Sequence, residues 1–368
     1  MNTGKVVDFL MKKNVAVLFG GCSSEHEVSL RSASYILRQL DEEKYNVTAL
    51  GITKDGRWLL YPGPVDALAD GSWEKDPGCK PAFLSPDRVT RGIVVMNGDG
   101  VQVLPIDVIV PVLHGKNGED GTMQGLFALS GIPYVGCDTL SSAVCMDKAV
   151  AHSLLTNMGI EQAHYLWFFA HRYEAAAETI KNKIAQRLDF PVFVKPANAG
   201  SSVGVSKVNS IDELDEAVAK AAREDSKIVV EEGIVGQEVE CAVLGNEYPE
   251  ASIVGEIGAS AEFYDYDDKY TNGTSQLYIP ARIPEETAEE IRKTAVRAYR
   301  MLGCKGLARV DFFVRKSDGK VLLNELNTLP GFTSISMYPK LWEACGVSGK
   351  ELMDRLIDCA LKAAGMQG

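Results

Sequence analysis

The 368-residue sequence has no apolar run near the roughly 18 residues that mark a membrane-spanning helix, so no span is expected. Its first residues, MNTGKVVDFLMKKN, lack the long apolar core of a secretory signal. The eight cysteines are scattered, with no CxxC pair. That predicts reduced thiols in a cytoplasmic protein rather than a disulfide scaffold or a zinc site. Internal repeats and low-complexity tracts are missing as well. Cations are outnumbered, 38 Lys and Arg against 50 Asp and Glu, for a formal net charge of -12. Such a surface repels nucleic acid and anionic lipid. It still leaves room for a small bound anion, held by local cations and helix ends.

What is present is patterned. NVAVLFGG (14–21), NVTALGIT (46–53) and VIVPVLHG (108–115) read as short apolar strands, and EVSLRSASYILRQL (27–40) has helical apolar spacing. Strands interleaved with helices predict an α/β unit with a parallel sheet over residues 1–140, with ligands at the strands' carboxyl ends. A second unit, 141–230, starts with a helix at 147–158 stopped near Gly159 and contains the strand FPVFVKP (190–196). A third, 231–368, mixes strands, helices, a tyrosine-rich loop and a strong hairpin. No proline- or serine-rich linker marks either boundary.

GGCSSEHEVSL (20–30) is the first candidate site. Two glycines after a strand permit a tight turn and close backbone approach to a ligand. Ser24 and Glu27 have the spacing of a capping box, which makes Glu27 structural. Glu25 then faces the sheet's open end, where a carboxylate can hold an ammonium group; the alternative is a surface Glu that complements the helix dipole. There is no GxGxxG, and the second strand ends at Thr53-Lys54 rather than at an acidic residue, which argues against a dinucleotide. HGKNGEDGTMQGLFALSGIPYVG (114–136) places His114 on the same sheet edge, although a lone His is more often a satisfied turn residue.

Two lysines follow. Lys148, in CMDK, opens a helix behind Asp147, and Lys195, in FVKP, ends an apolar strand. A lysine there is costly to desolvate without an anion, and phosphate is its natural partner. AGSSVGV (199–205) supplies small residues whose N–H groups can cap phosphates, although the GxxxxGK[ST] loop is absent. RVDFFVRKSDGKVLLNELNTLPG (309–331) reads as two strands around Ser317-Asp318-Gly319, with Gly319 at positive φ. A three-residue loop pairs Asp311 with Glu325 and Arg309 with Asn327, all on one face. Opposed carboxylates repel, and a cation would relieve them. The oxygen ligands Asp311, Glu325 and Asn327 select a hard ion such as magnesium; otherwise Arg309 is the counter-ion of a solvated polar face. EFYDYDDKYTNGTSQLYIPAR (262–282) has no clean period and carries four tyrosines, which suits a lid over 264–278.

In this order the motifs resemble the D-alanine:D-alanine ligase family, of the ATP-grasp fold. The resemblance runs from about residue 14 to the C-terminus, on GGCSSEHEVSL, HGKNGEDGT, CMDK, FVKP…GSSVG, YDYDDKY, RVDFF and NELNTLPGFT. It implies ATP as co-substrate between the second and third units. Lys148 and Lys195 would hold phosphates, with Lys269 and Asn324 also at the nucleotide. Glu231 would lie at the adenine hinge and Glu238 at the ribose. Two magnesium ions, with manganese as a substitute, would sit on Asp311, Glu325 and Asn327. Glu25 would anchor the first substrate's ammonium, joined by Ser202 and Tyr270 in a hydrogen-bonded chain that closes the lid. Arg309 would stabilise the acyl-phosphate and the tetrahedral intermediate. His114, Gly331, Ser336 and Met337 would belong to the substrate pocket. The implied partners are D-alanine and ATP, the implied assembly a homodimer, and the product dipeptide would feed peptidoglycan synthesis.

Two departures are visible. Ala199 stands where many relatives carry Glu, and Ile335 where some carry His. The D-alanine:D-serine branch is the close rival, and its members place Arg where this chain has Met337. An apolar, weakly accepting thioether favours a methyl group in the second pocket, hence D-alanine. A D-lactate-using enzyme is disfavoured by the retained Lys269-Tyr270 pair. A non-catalytic ATP-binding module is disfavoured by retention of Lys195, Arg309, Asp311, Glu325 and Asn327.

Overall fold

The computed structural model describes residues 12–98, 100–258 and 276–366. Lys269, Tyr270 and all but the end of the expected lid lie outside the described residues.

The first sheet has seven strands: β1 (Lys13–Gly20), β2 (Tyr45–Ile52), β3 (Trp58–Tyr61), β4 (Lys80–Leu84), β5 (Gly92–Asn97), β6 (Gly100–Pro105) and β7 (Val108–Val112). They lie in the order β6-β5-β4-β3-β2-β1-β7. The expected parallel sheet is only partly so. β1 runs parallel to β2 and β7, but β2 through β6 form an antiparallel meander. The reason is connection length. β2 and β3 are joined by the short turn Thr53–Arg57, closed by Thr53 N–H on the Arg57 carbonyl at 2.9 Å, and so short a link cannot make a parallel crossover. β1 and β7 read as continuous apolar runs because both faces of the sheet are covered.

The second sheet is antiparallel, in the order β10-β9-β11-β8, from β8 (Tyr165–Phe169), β9 (Val192–Pro196), β10 (Ser206–Val208) and β11 (Lys227–Glu232). The third runs β14-β13-β12-β15-β16, from β12 (Gly236–Leu244), β13 (Glu250–Gly258), β14 (Gln276–Tyr278), β15 (Leu307–Arg315) and β16 (Val321–Asn327). Residues 276–278, read as the end of the aperiodic loop, instead pair with β13.

Packing ties the sheets together. The helix Gly349–Ala363 buries Leu352, Met353, Leu356 and Ile357 against Val110 and Val112 of the first sheet and Leu329 of the third unit. Tyr45 and Lys44 both reach Asp354, at 2.8 and 2.5 Å. The helices Thr139–Met146 and Lys148–Asn157 put Cys145 and Leu155 into the core of the third sheet, with Val310 and Leu323. The helix at Lys148 starts as expected, with Asp147 accepting from Val150 N–H, and Gly159, at φ 68°, follows its end.

Candidate active site

The loop after β1 begins the site. The helix starts at His26, one residue later than a cap at Ser24 would place it, with Glu25 at its N-cap. No capping box forms. Ser23 turns the chain instead: its hydroxyl accepts from Glu25 N–H at 3.2 Å and donates to the His114 carbonyl at 2.7 Å, and its carbonyl accepts from His26 N–H at 3.3 Å. Glu27 is exposed and ion-paired to Lys54 across the turn.

Glu25 itself is buried. Its carboxylate lies between two glycines. A Cβ on Gly115 would stand 2.4 Å from Glu25 Oε2, and one on Gly200 would stand 2.6 Å from the same atom. The first glycine follows β7 and the second opens the small-residue loop after β9, so Glu25 joins the first and second sheets. The serine that donates to Glu25 is Ser201, not Ser202 as expected. Ser201 and Ser202 both have positive φ, at 49° and 60°. This left-handed pair turns the loop, and it is Ser201 that ends facing the carboxylate.

His114 is buried, with Nδ1 3.0 Å from the Leu329 carbonyl and Nε2 3.1 Å from Ser32 Oγ. The Leu329 carbonyl can only accept, so the ring donates from Nδ1; a neutral ring then accepts at Nε2 from Ser32 Oγ, which itself accepts from Phe332 N–H at 3.1 Å. Burial lowers the basicity of His114 although Glu25 opposes this, in keeping with a neutral ring. His114 thus fastens the first sheet's edge to the loop carrying Gly331. Glu119, in the same motif, was not singled out from sequence. It accepts from Gly115 N–H at 3.0 Å, and burial together with Glu25 raises it far above the ordinary carboxylate range.

Lys148 Nζ donates to the Ala199 carbonyl at 2.9 Å and stands 3.5 Å from Glu325 Oε2. The contact is to backbone, so it survives the loss of a side chain at position 199. Lys195 Nζ donates to Glu231 Oε2 at 2.6 Å. Burial works against charge on both, but each holds the other: Lys195 is raised, and Glu231 is lowered by Lys195 and His152. His152 and its partner Gln162 were not anticipated. Glu238, partly buried on β12, faces the same region, since its charge also supports Lys195.

The hairpin has the expected pairs, Asp311 with Glu325 and Arg309 with Asn327, but reaches them differently. The turn has four residues, with Arg315 and Lys320 paired by Arg315 N–H on the Lys320 carbonyl at 2.9 Å, and Gly319 has φ 71°. A four-residue turn alone would oppose Asp311 to Asn324. A bulge shifts the register between Asp311 and Phe312 and leaves Asn324 as the extra residue. The bulge therefore brings Glu325 across from Asp311.

The face is partly withdrawn from solvent, most of all at Asp311. Asp311 is 3% exposed and is gripped by Arg309 through Nε at 2.8 Å and Nη2 at 2.7 Å, with Asn327 Nδ2 at 2.9 Å. Arg309 also lies 3.1 Å from Glu240, a buried carboxylate on β12 that sequence reading passed over. Burial disfavours its charge, but Asp311 and Glu240 outweigh that and raise it strongly. Repulsion between Asp311 and Glu325 is thus already met by Arg309 on one and Lys148 on the other. Among the described residues no group of three or more His, Cys, Asp and Glu could hold a metal. The candidate donors are two carboxylates and an amide, a set of hard oxygens that fits a magnesium-like ion.

In the last loop, Ser336 Oγ accepts from Thr333 N–H at 2.9 Å, and a Cβ on Gly331 would stand 3.1 Å from it. Met337 is buried, its sulfur so close to Gly255 that a Cβ there would lie 2.6 Å away. Its side chain is part of the core rather than an open pocket wall, while Ile335 is exposed.

The chain is similar to known proteins in sequence and in fold. A family model described as D-ala D-ala ligase N-terminus matches residues 14–137, and one described as D-ala D-ala ligase C-terminus matches 154–358. A D-alanine–D-alanine ligase of Acetivibrio thermocellus is 53% identical over 362 residues, covering 95% of this chain and 96% of the relative. One from Caldicellulosiruptor bescii is 50% identical, with 96% of each chain covered. Among solved structures, the VanG D-Ala:D-Ser ligase of Enterococcus faecalis superposes with a TM-score of 0.86 at 43% identity, covering 95% of this chain and all of the other. The D-alanine–D-alanine ligase of Coxiella burnetii gives 0.83 at 34% identity, covering 96% and 95%.

Proposed function

This chain belongs to the D-alanine:D-alanine ligase family, and from that premise we propose how its residues divide the work. It is an ATP-grasp enzyme that joins two D-alanine molecules for cell-wall synthesis. Its substrates are small molecules, and ATP and a divalent metal are used across the family. Its three units are read as 1–140, 141–230 and 231–368.

One observation carries the reading of the site. Glu25, Lys148 and Glu325 arrive from separate elements and meet about the loop 199–201: Glu25 on Gly115, Gly200 and Ser201, and Lys148 on Ala199 and Glu325. An anchor for an ammonium thus adjoins cations for phosphate.

Glu25 holds the first D-alanine's ammonium, which leaves its carboxylate free. That carboxylate attacks the γ-phosphate of ATP, giving an acyl-phosphate and ADP. Lys148 and Lys195 hold the phosphates, with Glu231 toward the adenine, Glu238 toward the ribose and Asn324 beside the nucleotide. The second amine then attacks the acyl carbon, and phosphate leaves. Arg309, fixed by Asp311 and Glu240, offers its remaining N–H groups to the charge that develops there. Asp311, Glu325 and Asn327 would hold magnesium, which when bound neutralises phosphate charge. His114 and Glu119 set the backbone around Gly115, and Gly331 and Ser336 border the second amino acid. Little covalent chemistry falls to the protein; positioning and preorganised charge do the work.

D-Serine as second substrate is kept as the rival because of the likeness to VanG. Met337, packed into the core, does not decide between a methyl and a hydroxyl, and D-alanine is favoured instead by the D-alanine–D-alanine ligases at 50–53% identity. The test is ADP release with D-alanine alone, then with equal D-alanine and D-serine, and the dipeptides quantified. D-Alanyl-D-alanine should dominate, with some mixed product at high D-serine, since an apolar pocket rejects an added hydroxyl by only about a hundredfold. Dominant D-alanyl-D-serine would overturn the choice, and no amino-acid-dependent ADP release would leave an ATP-binding module.

A further inference from the structure

His152 lies one helical turn beyond Lys148, on the helix Lys148–Asn157, and is 3% exposed. Both of its ring nitrogens face oxygen. Nε2 is 3.0 Å from Glu231 Oε1, and Nδ1 is 2.6 Å from Gln162 Oε1. The amide of Gln162 is fixed in orientation, because its Nε2 donates to the His152 carbonyl and to Thr156 Oγ1, each at 3.1 Å. Its oxygen therefore has to face the ring. Only an imidazole with N–H at both positions satisfies both neighbours, and that ring is a cation. Tyr165 stacks on it with centroids 4.5 Å apart, which fixes its plane.

Glu231 is thus a buried carboxylate with two cations, one on each oxygen: Lys195 on Oε2 and His152 on Oε1. The two differ in what they can do. Lys195 ends on a flexible ammonium whose several donors can turn to an arriving phosphate. His152 is clamped by Gln162 and Tyr165 and cannot leave. A buried carboxylate that loses its only cation is strongly destabilised, so a lysine that must serve both Glu231 and a phosphate needs a second counter-charge in place.

We propose that His152 is a positioning residue that keeps Glu231 charged and in place while Lys195 turns to the phosphates of ATP. This rests on the reading that Lys195 holds phosphate. The role belongs to nucleotide binding rather than to the chemical steps, because His152 touches Glu231 and neither reacting centre.

The test uses the full-length enzyme, with calorimetric titration of a non-hydrolysable ATP analogue and steady-state kinetics. His152→Phe keeps the stacking on Tyr165 but removes both donors and the charge. It should weaken analogue binding and raise KM for ATP by at least about tenfold, while kcat at saturating ATP stays within about threefold. His152→Lys, which restores a cation beside Glu231, should recover most of that loss. A folded His152→Phe protein that binds the analogue within about twofold of the parent would overturn the proposal. So would a His152→Lys variant as weak as His152→Phe, since shape alone would then explain the effect. Should His152→Phe not fold, nitrogen NMR of the parent decides. Both ring N–H groups must persist when the analogue binds, and loss of either refutes the assignment. Lys195→Met is the separate control: unchanged affinity there would refute the phosphate role of Lys195, whatever the His152 variants do.

Discussion

Gly200→Ala offers a clean probe of the ammonium site. Gly200 does not need a left-handed backbone, so alanine is allowed there by conformation. The obstacle is Glu25, whose Oε2 would lie 2.6 Å from the new Cβ. Ordinary contact begins near 3.4 Å, so the carboxylate must retreat by about 0.8 Å. A misplacement of about 1 Å in a positioning group can cost on the order of a hundredfold. We expect kcat/KM for the first D-alanine to fall by about ten- to a hundredfold. Stability should change by no more than about 1 kcal/mol in either direction. Replacing glycine in a compatible conformation contributes about 0.4–1 kcal/mol through the unfolded chain, against about 0.5–1.5 kcal/mol if the Ser201–Glu25 hydrogen bond is lost. The assay is the initial rate of ADP release against D-alanine at saturating ATP, beside urea unfolding of the same protein. An unchanged D-alanine dependence would mean that Glu25 does not set the ammonium site. A stability loss beyond about 2 kcal/mol would mean that the glycine serves the fold instead.

Gly115→Ala should behave differently, because Gly115 has φ 68° and a left-handed alanine costs about 1–2 kcal/mol. Both activity and unfolding free energy should drop, and normal stability would contradict the strain argument. Glu27→Ala removes an exposed pair whose Glu and Lys54 side chains are 51% and 62% exposed, worth at most about 0.5 kcal/mol. A loss above about 1 kcal/mol in urea unfolding would restore the capping role that the helix start denies it. Glu325→Gln should nearly abolish turnover while the fold survives, since the side chain is 32% exposed and its Lys148 contact is a long 3.5 Å. Normal rates in that variant at low magnesium would remove Glu325 from the metal site.

The sequence by itself was enough for the strands β1, β2, β7 and β9, the strand–loop–helix setting of Glu25, and a hairpin turning at Gly319. These are local properties: apolar periodicity, glycines after strands and a turn of few residues act over short stretches of chain. It also carried seven motifs in order, which was enough to indicate the family. Tertiary structure decided the rest. The antiparallel meander follows from a short turn whose consequence appears only once β3 finds a neighbour. The bulge at Asn324 depends on how β16 lies beside β15 and cannot be read from alternation. Ser201 rather than Ser202 meets Glu25 because of two left-handed residues, and both serines look alike in sequence. Met337 reads as a pocket residue from its motif, yet packing against Gly255 makes it part of the core. Glu240 lies in an apolar strand two residues after Glu238, a pattern that could have drawn notice. His152 and Glu231, by contrast, are 79 residues apart. A contact across that distance leaves no local trace in the chain, because neither residue's own segment needs the other until the two sheets and their helices have packed.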